Sequence, residues 1–168
     1  SQDVEGVWEF NRQIIEATLP YAIAYKVNTA FYECLGAKGW ELMERTRSLL
    51  PAHVMLIMDA KRGDIGNTSQ MYAKAFFEQM QADAITVAPY MGKDSVQPFL
   101  DFAGKWTFLL GLTSNAGASD FQWTHDGNEY LYEKVIRTGD EWAEQAKGYL
   151  GYVVGATRAA QIAEIRAQ

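Results

Sequence analysis

The apolar positions of this 168-residue chain fall into two alternating kinds of segment. Short continuous runs, partly β-branched, occupy residues 22–27, 54–58, 84–87, 107–112 and 152–154. Runs of that length and texture read as strands covered on both faces. Between them lie longer stretches whose apolar residues recur every three or four positions, as helices require. Residues 7–18 place Val7, Phe10, Ile14 and Ile15 on one side. Residues 29–49 carry Phe31, Leu35, Leu42 and Met43. Residues 68–81 carry Met71, Phe76, Phe77 and Met80. Residues 130–149 carry Leu131, Val135 and Trp142, and residues 159–167 carry Ile162 and Ile165. The punctuation agrees: Pro51 and Pro89 sit beside strands, Thr68 and Ser69 suit a helix start, and Gly148 and Gly151 bracket a helix end.

Strand–helix alternation predicts a parallel sheet with helical crossovers. An open doubly wound sheet usually carries a glycine-rich turn after its first strand. No G-x-G-x-x-G occurs in this chain. The first two strands end instead in Lys26-Val27-Asn28 and Asp59-Ala60-Lys61. Polar residues at the C-terminal ends of successive strands are where a (β/α)8 barrel keeps its chemistry. The expected fold class is therefore α/β, a (β/α)8 TIM barrel seen as an incomplete barrel of about five strand–helix units, with residues 1–168 forming one partial domain. A full barrel needs eight strands in about 250 residues. The pattern implies one further strand before the leading helix and two after the last.

Composition narrows the partners. The net charge of −6 argues against a broad nucleic-acid or acidic-membrane footprint. A small anionic ligand held by a few lysines remains compatible. The single cysteine, Cys34, excludes an internal disulfide framework and reads as a buried structural thiol in a reducing compartment. No apolar run approaches the roughly 20 residues that span a bilayer, and residues 1–10 lack a basic-then-apolar leader pattern. The expectation is a cytoplasmic protein with neither membrane nor nucleic-acid partner.

Chemistry concentrates in residues 59–68, Asp-Ala-Lys-Arg-Gly-Asp-Ile-Gly-Asn-Thr, directly after an apolar strand. Asp59 and Lys61 are two apart, so in an extended strand both point to one face. Burying either charge alone is costly, so an alternating pair is the tolerable arrangement. Asp64 follows in a glycine-flanked loop able to reach a neighbouring subunit. Lys26, at the end of the preceding strand, can approach Asp59 from the side. The four make a formally neutral Lys–Asp–Lys–Asp array. Taken singly, each also reads as an ordinary solvated loop residue. His53 and His125 have no second ligand at metal spacing and read as surface or structural residues. Residues 115–128 form a long polar loop, equally a lid or a mobile surface loop.

Asp59-x-Lys61-x-x-Asp64-Ile65 resembles the signature of the orotidine 5'-monophosphate decarboxylases. Lys26 with Asn28, Ala30-Phe31, Pro89-Tyr90-Met91-Gly92, Thr113-Ser114-Asn115 and Val154-Gly155-Ala156-Thr157 extend the resemblance to a bacterial branch of that family. The resemblance implies cofactor-free and metal-free conversion of orotidine 5'-monophosphate to UMP by a homodimer. Residue by residue, it implies that Lys26 contacts the ribose and braces the charge network, and that Asp59 stands against the substrate carboxylate. Lys61 would protonate C6, and Asp64 would cross the dimer interface. Thr68 would reach the partner's substrate from the same loop, Ser114 would contact the pyrimidine edge, and Asn28 would lie near the ribose. The family's phosphate-gripping loop with its arginine, and its first-strand aspartate, have no counterpart in this chain, so the 168 residues by themselves are expected to be inactive. Two other readings compete. One is a Mg2+-dependent sugar-phosphate aldolase or decarboxylase of the same superfamily, which carries an acidic metal ligand where this chain has Lys26. The other is a non-catalytic fragment serving as an oligomerisation or binding module.

Overall fold

A computed structural model describes residues 3–167. Residues 1 and 2 of the opening stretch, and residue 168, lie outside it. Five strands, β1 (Ala24–Asn28), β2 (Met55–Arg62), β3 (Ala84–Val87), β4 (Trp106–Leu112) and β5 (Tyr149–Val154), form one parallel sheet in sequential order, β1-β2-β3-β4-β5. Each strand lies beside its predecessor. That is the winding of a (β/α)8 barrel, whereas a doubly wound sheet reverses its order at a switch point. The helices are α1 (Val4–Thr18), α2 (Ala30–Glu33), α3 (Ala37–Ser48), α4 (Gly66–Lys74), α5 (Lys93–Leu100), α6 (Leu131–Ala143) and α7 (Ala159–Arg166). Contacts divide the chain into two compact units. One holds the residues up to Ala60 together with Ala73–Ile85; the other holds Lys61–Tyr72 together with the residues from Thr86 onward.

In the first unit, Val27, Leu56, Met58 and Ala60 are buried along the strands, and Leu42, Met43, Phe76, Phe77 and Met80 fill the helical side. The predicted helix over 29–49 is broken in two at Gly36, whose φ of 67° takes the chain into the left-handed region that glycine tolerates best. Gly39 then packs directly on α2: a Cβ there would stand 1.7 Å from the Tyr32 carbonyl oxygen. The predicted helix over 68–81 begins earlier, at Gly66, and ends in a wide π turn over Ala75–Gln79. Its closing bond runs from the Met80 N–H to the Ala75 carbonyl, and consecutive Phe76 and Phe77 are both buried. Four apolar residues expected on buried stripes are instead exposed, Phe10, Ile14, Phe31 and Met71, and so is Cys34, expected as a buried thiol. On α1 only Ile15 is buried.

In the second unit, Thr107, Leu109 and Gly111 are buried, while the alternate residues Phe108 and Leu110 are only half-buried. Period-two burial marks a strand with one covered face. Among the described strands only β3 is buried at every position, so coverage of both faces, expected for all five, holds there alone. α6 presents Tyr132, Ile136 and Gly139 as its buried stripe, one position away from the predicted Leu131–Val135 set. Leu112, Tyr132 and Ile136 form a small core packed by Trp123, Tyr152, Val154 and Ile165. The single Tyr152 hydroxyl proton lies within reach of the Ile136 carbonyl (2.8 Å) and the Asp140 carboxylate (2.6 Å), and burial raises its pKa. β5 opens three residues before the predicted run, at Tyr149. α5 was not anticipated between β3 and β4. It is short and contains Pro98, a residue that normally argues against a helix interior. It forms because Ser95, Val96, Phe99 and Leu100 bury one face.

Candidate functional site

Of the residues singled out by sequence, Lys26 and Asn28 lie in β1, Asp59 and Lys61 towards the end of β2, and Asp64 and Ser114 in the segments after β2 and β4, whereas Thr68, expected on the Asp64 loop, lies in the first turn of α4. In the first unit, β1 and β2 pair in parallel with Lys26 opposite Ile57, Val27 opposite Met58 and Asn28 opposite Asp59. Val27 and Met58 are buried together, so Lys26, Asn28 and Asp59 occupy the other face. There the Lys26 ammonium donates to the Asp59 carboxylate at 2.8 Å. The aspartate side chain is 10 % exposed and the lysine 54 %. A half-solvated pair of this kind adds no more than about 1 kcal/mol to stability. What it provides is a carboxylate held in a fixed orientation at a strand end. Asn28 has a local task as well: its side-chain oxygen accepts the Ala30 N–H at the start of α2 (3.2 Å).

β2 continues past Asp59 and carries Lys61 within the strand. Lys61 is exposed and has φ of 48°, a left-handed value rare for a lysine. Regular side-chain alternation therefore ends at Ala60, and the direction of Lys61 is set by this local twist. The loop that follows belongs to the second unit. Asp64 is half-buried, and its carboxylate accepts the Ile65 N–H at 2.7 Å. Thr68, also half-buried, gives its N–H to the Asn67 side chain (3.0 Å). Ile65, Met71, Tyr90 and Met91, all in this unit, are exposed.

Ser69 holds that loop. It is fully buried, its hydroxyl oxygen accepts the Asp64 N–H (3.1 Å), and its proton lies within reach of the Asp64 (2.9 Å) and Ser95 (2.8 Å) carbonyls. Sequence reading took Ser69 only as a helix start, because no spacing rule marks which hydroxyl of a helix will be buried. Ser69→Ala leaves these groups without that partner in a dry site, at a cost of about 1–3 kcal/mol. A urea or thermal unfolding curve measures it. An unchanged midpoint would show that the loop is held by other means.

Ser114 follows β4 and is exposed. Gly155, after β5, gives its N–H to the Leu112 carbonyl (2.7 Å), and a Cβ at Gly155 would come within 2.8 Å of the Ser114 Cβ. The turn carrying Ser114 is clamped by Gln122, another residue the sequence reading passed over. The Thr113 N–H donates to the Gln122 side-chain oxygen (2.7 Å), and the Gln122 amide donates to the Thr113 hydroxyl (2.8 Å), which in turn meets the Asn115 side-chain oxygen (2.6 Å). The partners are nine positions apart, across a short 3-10 turn, so no regular periodicity announces them. Residues 115–128 are partly ordered by a 3-10 turn over Ala116–Asp120 and by Trp123, which meets Tyr130 and Tyr132 edge-on. The Arg158 guanidinium lies 5.5 Å from the Trp123 ring centre.

A family model described as "Orotidine 5'-phosphate decarboxylase / HUMPS family" matches residues 1–168. Among curated proteins, an orotidine 5'-phosphate decarboxylase of Phocaeicola vulgatus is 53% identical over 98% of this chain and 61% of its own length. One from Christiangramia forsetii is 57% identical over 96% of this chain and 60% of its own. The chain thus spans about 60% of the length of the curated relatives it matches. Among solved structures, the OMP decarboxylase of Leishmania donovani superposes with a TM-score of 0.93 at 42% identity, over 99% of this chain and 66% of that one.

Proposed function

This chain belongs to the orotidine 5'-phosphate decarboxylase / HUMPS family, and from that premise we propose that it serves the decarboxylation of orotidine 5'-monophosphate to UMP, without cofactor or metal, in pyrimidine synthesis. The observation that carries the reading is the Lys26–Asp59 ion pair at adjacent strand ends, with Lys61 two residues further along β2. In this reading the activity belongs to the complete gene product, and residues 1–168 are part of one barrel domain in a cytoplasmic protein.

The chemistry suits these side chains. Breaking the bond between C6 and the carboxylate leaves an electron pair in the ring plane on C6, where resonance does not spread it. A fixed ammonium stabilises that pair as it develops and then supplies the proton that quenches it. Lys61 is assigned both roles. Asp59, beside the departing carboxylate, is relieved of like-charge repulsion as CO2 leaves. Lys26 braces Asp59 through their ion pair and reaches the ribose, with Asn28 near it. Ser114, on the turn held by Gln122, meets the pyrimidine edge.

The second half of the reading is a homodimer in which Asp64 and Thr68 cross to the partner's substrate. The exposed Ile65, Met71, Tyr90 and Met91, in the segments that follow β2 and β3, support it, since large exposed apolar side chains suit a covered face. The sugar-phosphate reading within the same family requires an acidic metal ligand on β1. The Lys26 ammonium at that position, already bonded to Asp59, repels a divalent cation.

The deciding assay incubates the complete gene product with orotidine 5'-monophosphate and follows UMP by absorbance, with and without EDTA. UMP formation indifferent to EDTA is the expected result. No UMP from well-folded protein, or loss of turnover on chelation, would overturn the reading.

A further inference from the structure

We propose that Thr86 is a positioning residue for Lys61: its hydroxyl holds the lysine backbone in the left-handed conformation and so fixes where the ammonium is aimed. The inference rests on the reading of Lys61 as the proton donor. Among the described residues other than glycine, only Lys61 and Gln81 have positive φ. For a side chain larger than glycine that conformation costs on the order of 1–2 kcal/mol. It persists where the surroundings over-determine it, and here the determinant is visible. In a regular ladder a strand N–H donates to a carbonyl; the Lys61 N–H donates to the Thr86 hydroxyl oxygen at 2.9 Å.

Thr86 is well placed for this. It lies in β3 and is 3% exposed, so little water competes for the bond. Its β-branched side chain has few rotamers, which fixes the acceptor in space. Immediately beyond the twist the two segments are tied again, by the Ala88 N–H donating to the Arg62 carbonyl at 2.8 Å. Gly63 passes close to the same segment: a Cβ there would lie 3.0 Å from the Ala88 carbonyl oxygen. The distortion is thus confined to Lys61, with the Thr86 bond on its N–H and the Arg62–Ala88 bond after it. A side-chain acceptor in place of a backbone one lets β2 bend at that residue while remaining joined to β3.

The test uses Thr86→Val, which keeps the shape and removes the acceptor, and Thr86→Ser, which keeps the acceptor. Both are made in the complete gene product and assayed for UMP formation, with hydrogen exchange of the Lys61 amide measured alongside. T86V is expected to lower kcat by about 10- to 100-fold, the range that a misplaced reacting group costs. KM should change little, because Thr86 touches the lysine backbone and not the substrate. T86S should restore most of the rate, and the Lys61 amide should exchange faster in T86V only. Should T86V fail to fold, Thr86→Cys, with a weak acceptor in the same place, is expected to turn over more slowly than T86S, and a T86C rate at or above that of T86S overturns the proposal. Parental turnover in T86V, or T86S impaired as severely as T86V, overturns the proposal. A parent that makes no UMP sinks the decarboxylase reading instead. The amide then decides alone: unchanged Lys61 exchange in T86V means that Thr86 does not hold it.

Discussion

Lys61→Ala in the complete gene product is expected to lower the rate of UMP formation by about 10⁴-fold or more, with substrate affinity altered far less. Two contributions vanish together. A positioned acid is worth about 10²–10⁴-fold, and a fixed charge aimed at a developing anion about 10²–10³-fold. Both act on the carbanion, which exists only along the reaction path. Their loss therefore falls on kcat and not on ground-state binding. Lys61→Arg keeps the charge but presents a planar, permanently protonated group, and is expected to recover little. Lys61 is exposed and two residues from the buried Asp59, so the alanine variant should fold and melt close to the parent. Steady-state kinetics with a matching melting curve make the comparison. A Lys61→Ala enzyme within tenfold of the parent would remove the lysine from the mechanism.

The second large effect concerns stability. Gly39→Ala places a methyl group 1.7 Å from the Tyr32 carbonyl oxygen and 2.6 Å from its carbon, both backbone atoms. No side-chain rotation relieves that contact, so α2 and α3 must separate. Gly39 is itself buried, with Leu42, Met43 and Thr46 on the same face of α3. Overpacking a core costs about 1–3 kcal/mol and more where the backbone must move, so a loss of 3 kcal/mol or more is expected. For a chain of this size that lowers Tm by roughly 10 °C. Gly36→Ala is the control. Its φ of 67° comes with ψ of −146° and nothing stands within 4 Å of the added carbon, so it bears conformational strain alone, about 1–3 kcal/mol. Equal melting of the two variants would mean that the α2–α3 contact is not close-packed in solution.

The strand–helix alternation, the sequential winding of the sheet and the clustering of charged residues at strand ends were all legible from residue order. Apolar runs and their spacing are properties of the chain itself. The same holds for the Lys26–Asp59 pairing. An aspartate next to the buried end of one strand is tolerable only with a cation within reach, and the preceding strand offers one. Helix breaks were less legible. Gly36 splits one predicted helix because of its left-handed φ, and Gly39 lets the two halves touch, yet neither disturbs the apolar period that the prediction follows. α5 was missed because Pro98 outweighs about two turns of weak pattern until burial of Phe99 and Leu100 is known.

The sequence by itself determined the order of elements and which residues could carry charge chemistry, since both follow from local periodicity and side-chain type. Only the tertiary structure decided which hydroxyls and amides hold them: Thr86 on Lys61, Ser69 on the Asp64 loop, Gln122 on the Thr113 turn. A hydrogen bond depends on position to within a few tenths of an ångström. Residues 5, 9 and 25 apart reach that accuracy only after the chain has folded around them.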